Sequence, residues 1–269
     1  MRNGQYSLKN LNVIGKPERR KPPDHDLKLI LKSLRSLKAV DASPLFETNM
    51  PGWFTHPTMS IVEDARNFRQ NGYFAQTLVM SEHTGSHVDA PAHVIRTMPE
   101  ATIDRYPVDA LIGLSKKYDL KHYKFKAGDP VPLKAIKETE KQAGFRLDSD
   151  DIVILQFGWE RYYQANSADP TKREWWGKNM PGLSAAACKY FADAGVKAVG
   201  SDTAGCDDCV IDGHLKHNFG HMKYFLPNHI FIIEGLRNLE KAPTVGIFIA
   251  LPLKIKGGSG SPIRPIIFG

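Results

Sequence analysis

Apolar and polar positions alternate along this chain with two different periods. Residues 1–23 are polar and end in PERRKPP, which reads as an arm or irregular extension. Leu27, Ile30, Leu31, Leu34 and Leu37 then recur at helical spacing, with Lys28, Lys32, Arg35 and Lys38 on the wet side. Asp24 offers an N-cap, so an amphipathic helix is expected over 25–38, packed on its own body or on a neighbouring subunit. YFAQTLVM from residue 73 reads as a strand running into SEHTGSHVDAPAHV. Further strands are expected over 151–157 (DIVILQF), 196–202, 229–234 and 244–251, and helices over 183–194 and around 216–226. Alternation of helix and strand through the second half predicts a mixed α/β domain rather than a sandwich or bundle. No repeat, low-complexity tract or linker follows residue 40. The expected organisation is a basic extension over 1–38 and one domain over 39–269.

Composition narrows the function classes. With 42% hydrophobic and 24% charged residues, the 269-residue chain has material for a substantial core. No apolar run approaches the roughly 18 residues that cross a bilayer. The N-terminus lacks the apolar stretch of a secretory signal, so a cytoplasmic protein without a membrane partner is expected. Three cysteines are too few and too scattered for a disulfide framework. The net charge of +7 raises the question of nucleic acid. Its excess sits in the first forty residues and along 116–137, mixed with acids and without interleaved stacking aromatics. That describes a solvated basic surface, and the expected partner is a small molecule.

The chemistry concentrates in one segment. His83, His87 and His93 fall close together with Asp89 between them. Thr84, Gly85, Val88 and Pro91 argue against a helix there. A straight strand, at about 3.3 Å per residue, would hold His83 and Asp89 about 20 Å apart. Ligand bonds of about 2.0–2.2 Å then require the segment to coil. Gly85 permits the turn, and Pro91 stiffens the exit toward His93. Two imidazoles and a carboxylate suit Zn2+ or Mn2+.

A second group supplies His214, His217 and His221, just after Cys206 and Cys209 in a CxxC. One use is a structural zinc of Cys and His ligands. The favoured use is that one of these histidines, with Glu234 at a strand end, completes the site begun at His83.

SEHTGSHVDAPAHV resembles the signature HxGTHxDxPxH of the cyclase family, with Ser86 where Thr is usual. That family includes kynurenine formamidases, isatin hydrolases and trans-dienelactone hydrolases. VDASPLFETNMPGW is similar to its opening strand and substrate loop, PGLSAAACKYFADAGVKAVGSDTAG to a helix–strand unit, IIEGLRNL to the strand carrying a glutamate ligand, and LPLKIKGGSGSPIRPI to the closing strand and tail. The resemblance implies an α/β protein of the family's swivelling β/β/α fold, a mixed barrel-like sheet with flanking helices. It also implies hydrolysis of an amide or ester in a small cyclic or aromatic compound. By position, His83, His87 and Asp89 match the metal ligands and His93 the catalytic histidine. Glu234 matches the glutamate that holds a second metal or acts beside the first. Its partner histidine normally lies twelve residues earlier, where Met222 stands here, so His221 is the candidate and one or two ions remain open. The long basic extension and the stretch CDDCVIDGHLKHNFG depart from the pattern.

The mechanism this implies is attack on a carbonyl by metal-activated water, with His93 as base and later as acid. No GxSxG elbow offers a serine alternative. Trp53, Phe54 and Phe157 are candidates to line a pocket for a flat substrate, Trp53 foremost. The leading expectation is an arylformamidase acting on N-formylkynurenine, the runner-up a ring-opening enzyme for isatin or a lactone. The reading from another class is a metal-binding protein without turnover. A homodimer or homotetramer is also expected.

Overall fold

A computed structural model describes residues 23–269, so the polar arm expected before Asp24 lies, apart from Pro23, outside the described residues. The chain divides into two units, Met1–Lys38 and Ala39–Gly269. The first contains the helix Asp24–Ser36, none of whose residues is buried. Its N-cap is Pro23 and not the expected Asp24, which stands in the first turn without a side-chain cap bond. Proline supplies a backbone pre-set for entry into a helix. Asp24 and Asp26 then favour that end by charge.

In the second unit the long apolar runs become the middle of one mixed sheet. Its nine strands lie in the order Ala39–Asp41, Ile266–Phe268, Val245–Ile249, Ile112–Asp119, Ile152–Gln156, Ala198–Ser201, Phe231–Glu234, His87–Asp89, Gly260–Pro262. The four strands from Ile112–Asp119 to Phe231–Glu234 run parallel, and the flanking pairs are antiparallel. Ile152–Gln156 is buried at every position, as expected of a parallel strand covered on both faces.

Side chains of successive strand residues point to opposite faces, and here they sort into two cores. Val153, Leu155, Val199 and Ile232 pack with Ile136, Trp176, Ala187 and Phe191 from the helices Leu133–Ala143, Pro170–Lys178 and Ala185–Ala194. Ile152, Ile154, Ala198 and Ile233 pack instead with Val40, Val88, Phe248 and Ile267 from the sheet's own flanks. One face is therefore covered by helices and the other by the curl of the sheet, which gives the barrel-like form. Phe157 belongs to the helix-covered core and not to a substrate wall.

One expected element is replaced. Where a helix was predicted around 216–226, Asp208–Ile211 and His214–Asn218 form a hairpin, followed by a π-turn at Gly220–Tyr224. Asp212 and Gly213 take the positive φ values of 50° and 74° that a two-residue hairpin turn requires. A second hairpin joins Ser60–Arg66 to Ala75–Val79. Among the described residues, no helix is long and apolar enough to cross a membrane.

Candidate metal centre

The site is built on paired strands. His87 and Asp89 are two apart on one strand and so share a face, while Val88 between them enters the core. Glu234 ends the neighbouring strand directly opposite His87. The coil required before this strand is made at Gly85, whose φ is 66°. A Cβ there would stand 2.4 Å from the Phe46 ring, so the turn requires glycine on two counts.

His221 comes from the π-turn Gly220–Tyr224, closed by Phe225 N–H donating to Gly220 O at 2.7 Å. Such a turn accommodates one residue more than an α-turn. A Cβ on Gly220 would lie 2.7 Å from Asp207 Cγ, so the glycine lets Asp207 approach. Asp207 accepts from His221 Nδ1 at 2.7 Å and from its backbone N–H at 3.0 Å. This aims Nε2 away from Asp207.

Four residues then close a ring in which imidazoles and carboxylates alternate. His87 Nε2 lies 3.2 Å from Glu234 Oε2 and 3.5 Å from Asp89 Oδ1. His221 Nε2 lies 3.5 Å from Glu234 Oε1 and 3.4 Å from Asp89 Oδ2. Ligands about 2.0–2.2 Å from one tetrahedral ion stand roughly 3.3–3.6 Å apart. Neighbouring donors of the ring stand at such separations, and His87, Asp89 and Glu234 form the set that can close on one ion.

Hydrogen bonding says the same. His87 Nδ1 donates to Gly85 O at 2.9 Å, and a carbonyl can only accept. In the neutral rings, Nε2 of both His87 and His221 therefore offers a lone pair to carboxylate oxygens. Asp89 Oδ2 is buried without a hydrogen bond, as is Oδ1 of Asp208 beside His221. The imidazole and carboxylate set suits Zn2+ or Mn2+.

The electrostatics register this shortage of positive charge. Burial pulls His87 down, but the Glu234 hydrogen bond and the charges of Asp89 and Glu234 outweigh it and raise it to about 9. His221 is raised well above the usual range by Asp208, Asp207 and Asp89 despite its burial. Asp89 is held well below its ordinary value against burial, by His83, His221 and His87. Burial, reinforced by the neighbouring acids Asp207, Glu234 and Asp89, pushes Asp208 well up.

His83 and His93 stand beside the ring. His83 Nδ1 is 2.6 Å from Asp89 Oδ1, and its Nε2 donates to Ser259 Oγ at 2.8 Å. Ser259 in turn donates to Glu82 at 2.7 Å. The expected trio of His83, His87 and Asp89 therefore divides. His87, Asp89 and Glu234 form one close donor set, His83, Asp89 and His93 a second, and Asp207, Asp208 and His221 a third. Asp89 joins the first two. His93 lies at the turn Pro91–His93, its ring 4.0 Å from that of His83. Burial first, opposed by Asp89 and aided by His83 and His221, lowers it to about 4. It stays neutral, as a base must.

Over these groups opens a cavity of about 160 Å³ lined by Trp53, His56, His93, Val94, Leu215 and Asn218. It adjoins a cleft of about 340 Å³ along residues 49–59, with Arg173 and Glu174 at its rim. Trp53, His56 and His83 line both. Trp53 sits where a substrate would pass, its ring 4.7 Å from that of Phe54. His214 is exposed and His217 stacks on Phe219 at 4.7 Å, so of the three later histidines only His221 reaches the ring. Cysteine enters none of the close donor sets among the described residues. The CxxC matters instead for the two aspartates in its gap, which sequence reasoning set aside. His56 and Ser259 were also missed, with no more signal than a histidine and a serine in glycine- and proline-rich loops.

The family model for putative cyclases matches residues 40–208, and the chain belongs to that family. It is 29% identical over 233 residues to the isatin hydrolase of Roseibium aggregatum, covering 83% of each chain. It is 29% identical over 202 residues to the kynurenine formamidase of Salinibacter ruber, covering 75% of this chain and 83% of the relative. Among solved structures, an isatin hydrolase bound to the product analogue thioisatinate superposes with a TM-score of 0.79 at 24% identity, over 92% of this chain and 99% of that one.

Proposed function

We propose that this protein is a metal-dependent hydrolase that cleaves the amide bond of a small N-acylated aromatic amine. The observation that carries the reading is the closed ring of His87, Asp89, His221 and Glu234 beneath an aromatic-walled cavity with a neutral His93 at its edge. A divalent ion held there, Zn2+ or Mn2+, would acidify water and polarise a carbonyl. The protein's own groups do the rest. Trp53 and Val94 confine a flat ring and exclude bulk water. His93 takes the proton of the attacking water as oxygen adds to the carbonyl carbon, and delivers it to nitrogen as the C–N bond breaks. The products are a carboxylate and an arylamine. Asp207 holds His221 in one tautomer and orientation.

The leading substrate is N-formylkynurenine. Ring opening of isatin, itself a cyclic aryl amide, is the second reading, favoured by the longer likeness to the Roseibium enzyme. Purified protein assayed with both compounds, before and after chelation, tests the proposal. Turnover of one of them, lost on chelation and restored by Zn2+ or Mn2+, is expected. Turnover unaffected by chelation, or none with any aryl amide, overturns it. Self-association as a homodimer or homotetramer belongs to the same proposal. It is supported by exposed Val62, Leu78 and Val79 on the Ser60–Val79 hairpin and is checked by light scattering.

A further inference from the structure

Three residues beyond Glu234 the chain buries a second unpaired charge. Arg237 is 7% exposed, and its Nη1 and Nη2 are both buried without a hydrogen-bond partner. Its backbone is fixed by N–H donation to Ala42 O at 2.9 Å. The guanidinium carbon lies 3.6 Å over the Tyr163 ring and 5.4 Å from that of Trp176. The Tyr163 hydroxyl and Glu160 Oε1 are likewise buried and unpartnered. With Ser43, Ser167 and Asn238 these residues line an open cleft of about 610 Å³ that shares no residue with the cavity at the metal centre.

Buried polar groups are nearly always hydrogen-bonded, and buried charges paired. Asp202 lends Arg237 negative charge at range, yet its own oxygens accept from the N–H groups of Phe157 at 2.8 Å, Trp159 at 2.6 Å and Glu160 at 3.4 Å. The guanidinium and the tyrosine hydroxyl remain as donors without acceptors. Burial lowers Arg237 to about 10, against the pull of Tyr163, Asp202 and Glu160, so the cation persists at neutral pH. Burial, with the neighbouring carboxylates Asp202 and Glu240, holds Glu160 above the usual carboxylate range.

We propose that this cleft is a second binding site, one that takes a small carboxylate anion on Arg237 and Tyr163. The Tyr163 ring covers one face of the guanidinium and leaves its edge. A guanidinium edge carries two parallel N–H donors, which match a planar carboxylate. The acids Glu160 and Asp202 near it disfavour a dianion such as phosphate.

The test titrates acetate, benzoate and inorganic phosphate into the full-length protein in chloride-free buffer by calorimetry, once with its metal and once after chelation. Acetate or benzoate should bind in both states and more tightly than phosphate. Arg237→Lys, which keeps the charge but loses the fork, should weaken binding about 10- to 100-fold. Tyr163→Phe, which keeps the ring, should weaken it about two- to tenfold, and decides the matter if Arg237→Lys fails to fold. Absence of carboxylate binding, binding that vanishes on chelation, binding untouched by the variants, or a preference for phosphate would each overturn the assignment.

Discussion

The strand Phe231–Glu234 and the loop after it serve two buried polar clusters of opposite kind. At Glu234, two imidazole nitrogens and two carboxylates surround one point, and the carboxylates hold both imidazoles above their usual range. At Arg237, two guanidinium nitrogens and a phenol lie buried without a hydrogen-bond partner beside an open cleft. Both break the rule that a folded interior satisfies its polar atoms, and each is completed by a ligand of the opposite sign. The backbone between them is tied down by Gly235 N–H to Thr203 O and Leu236 N–H to Ser201 O, both at 2.9 Å. The lesson is that an unsatisfied buried group marks function most clearly when its neighbours are unsatisfied in the same sense.

Substitutions can break or sharpen this contrast. The largest effect falls at the metal centre: His93→Ala should lower turnover by roughly 10²–10⁴ while the ion held by His87, Asp89 and Glu234 is retained, since a positioned base is lost but no member of that set. Steady-state kinetics with metal analysis check this, and full activity would remove His93 from its role. Asp207→Asn keeps the contact to His221 and loses its charge. Metal affinity should fall about 10- to 100-fold, read by competition with a chromophoric chelator. Trp53→Ala should raise KM about two- to tenfold with metal content constant, because it removes only an aromatic wall. The smallest effect falls at the donor cluster. Arg237→Met should change unfolding free energy in anion-free buffer by no more than about 1 kcal/mol, or raise it, since an ionic group without partners is exchanged for an apolar one. Leu155→Ala in the core should cost about 2–5 kcal/mol in the same denaturant titration.

How much of this was legible in the sequence depended on the range of the interactions. The His83–His93 segment could be read because Gly85, Pro91 and the donor spacing are local, and Ile152–Gln156 because a doubly covered strand is apolar throughout. The hairpin at 208–218 carried its own signal in Asp212–Gly213, overlooked beside the competing helical pattern. The division of donors was not legible. His83 turns to Ser259 across 176 positions of sequence, and Asp207 reaches His221 through a π-turn that no periodicity announces. The Arg237 cleft was hidden for the same reason, since Tyr163 and Arg237 meet only in the fold.

The most direct measurement is metal content by elemental analysis of the purified wild-type protein beside Asp89→Ala, a residue shared by two of the close donor sets. The account predicts one or two Zn2+ or Mn2+ ions per wild-type chain and a loss of metal in the variant. A wild-type protein that is active without metal, or an Asp89→Ala protein that retains its full complement, would contradict it.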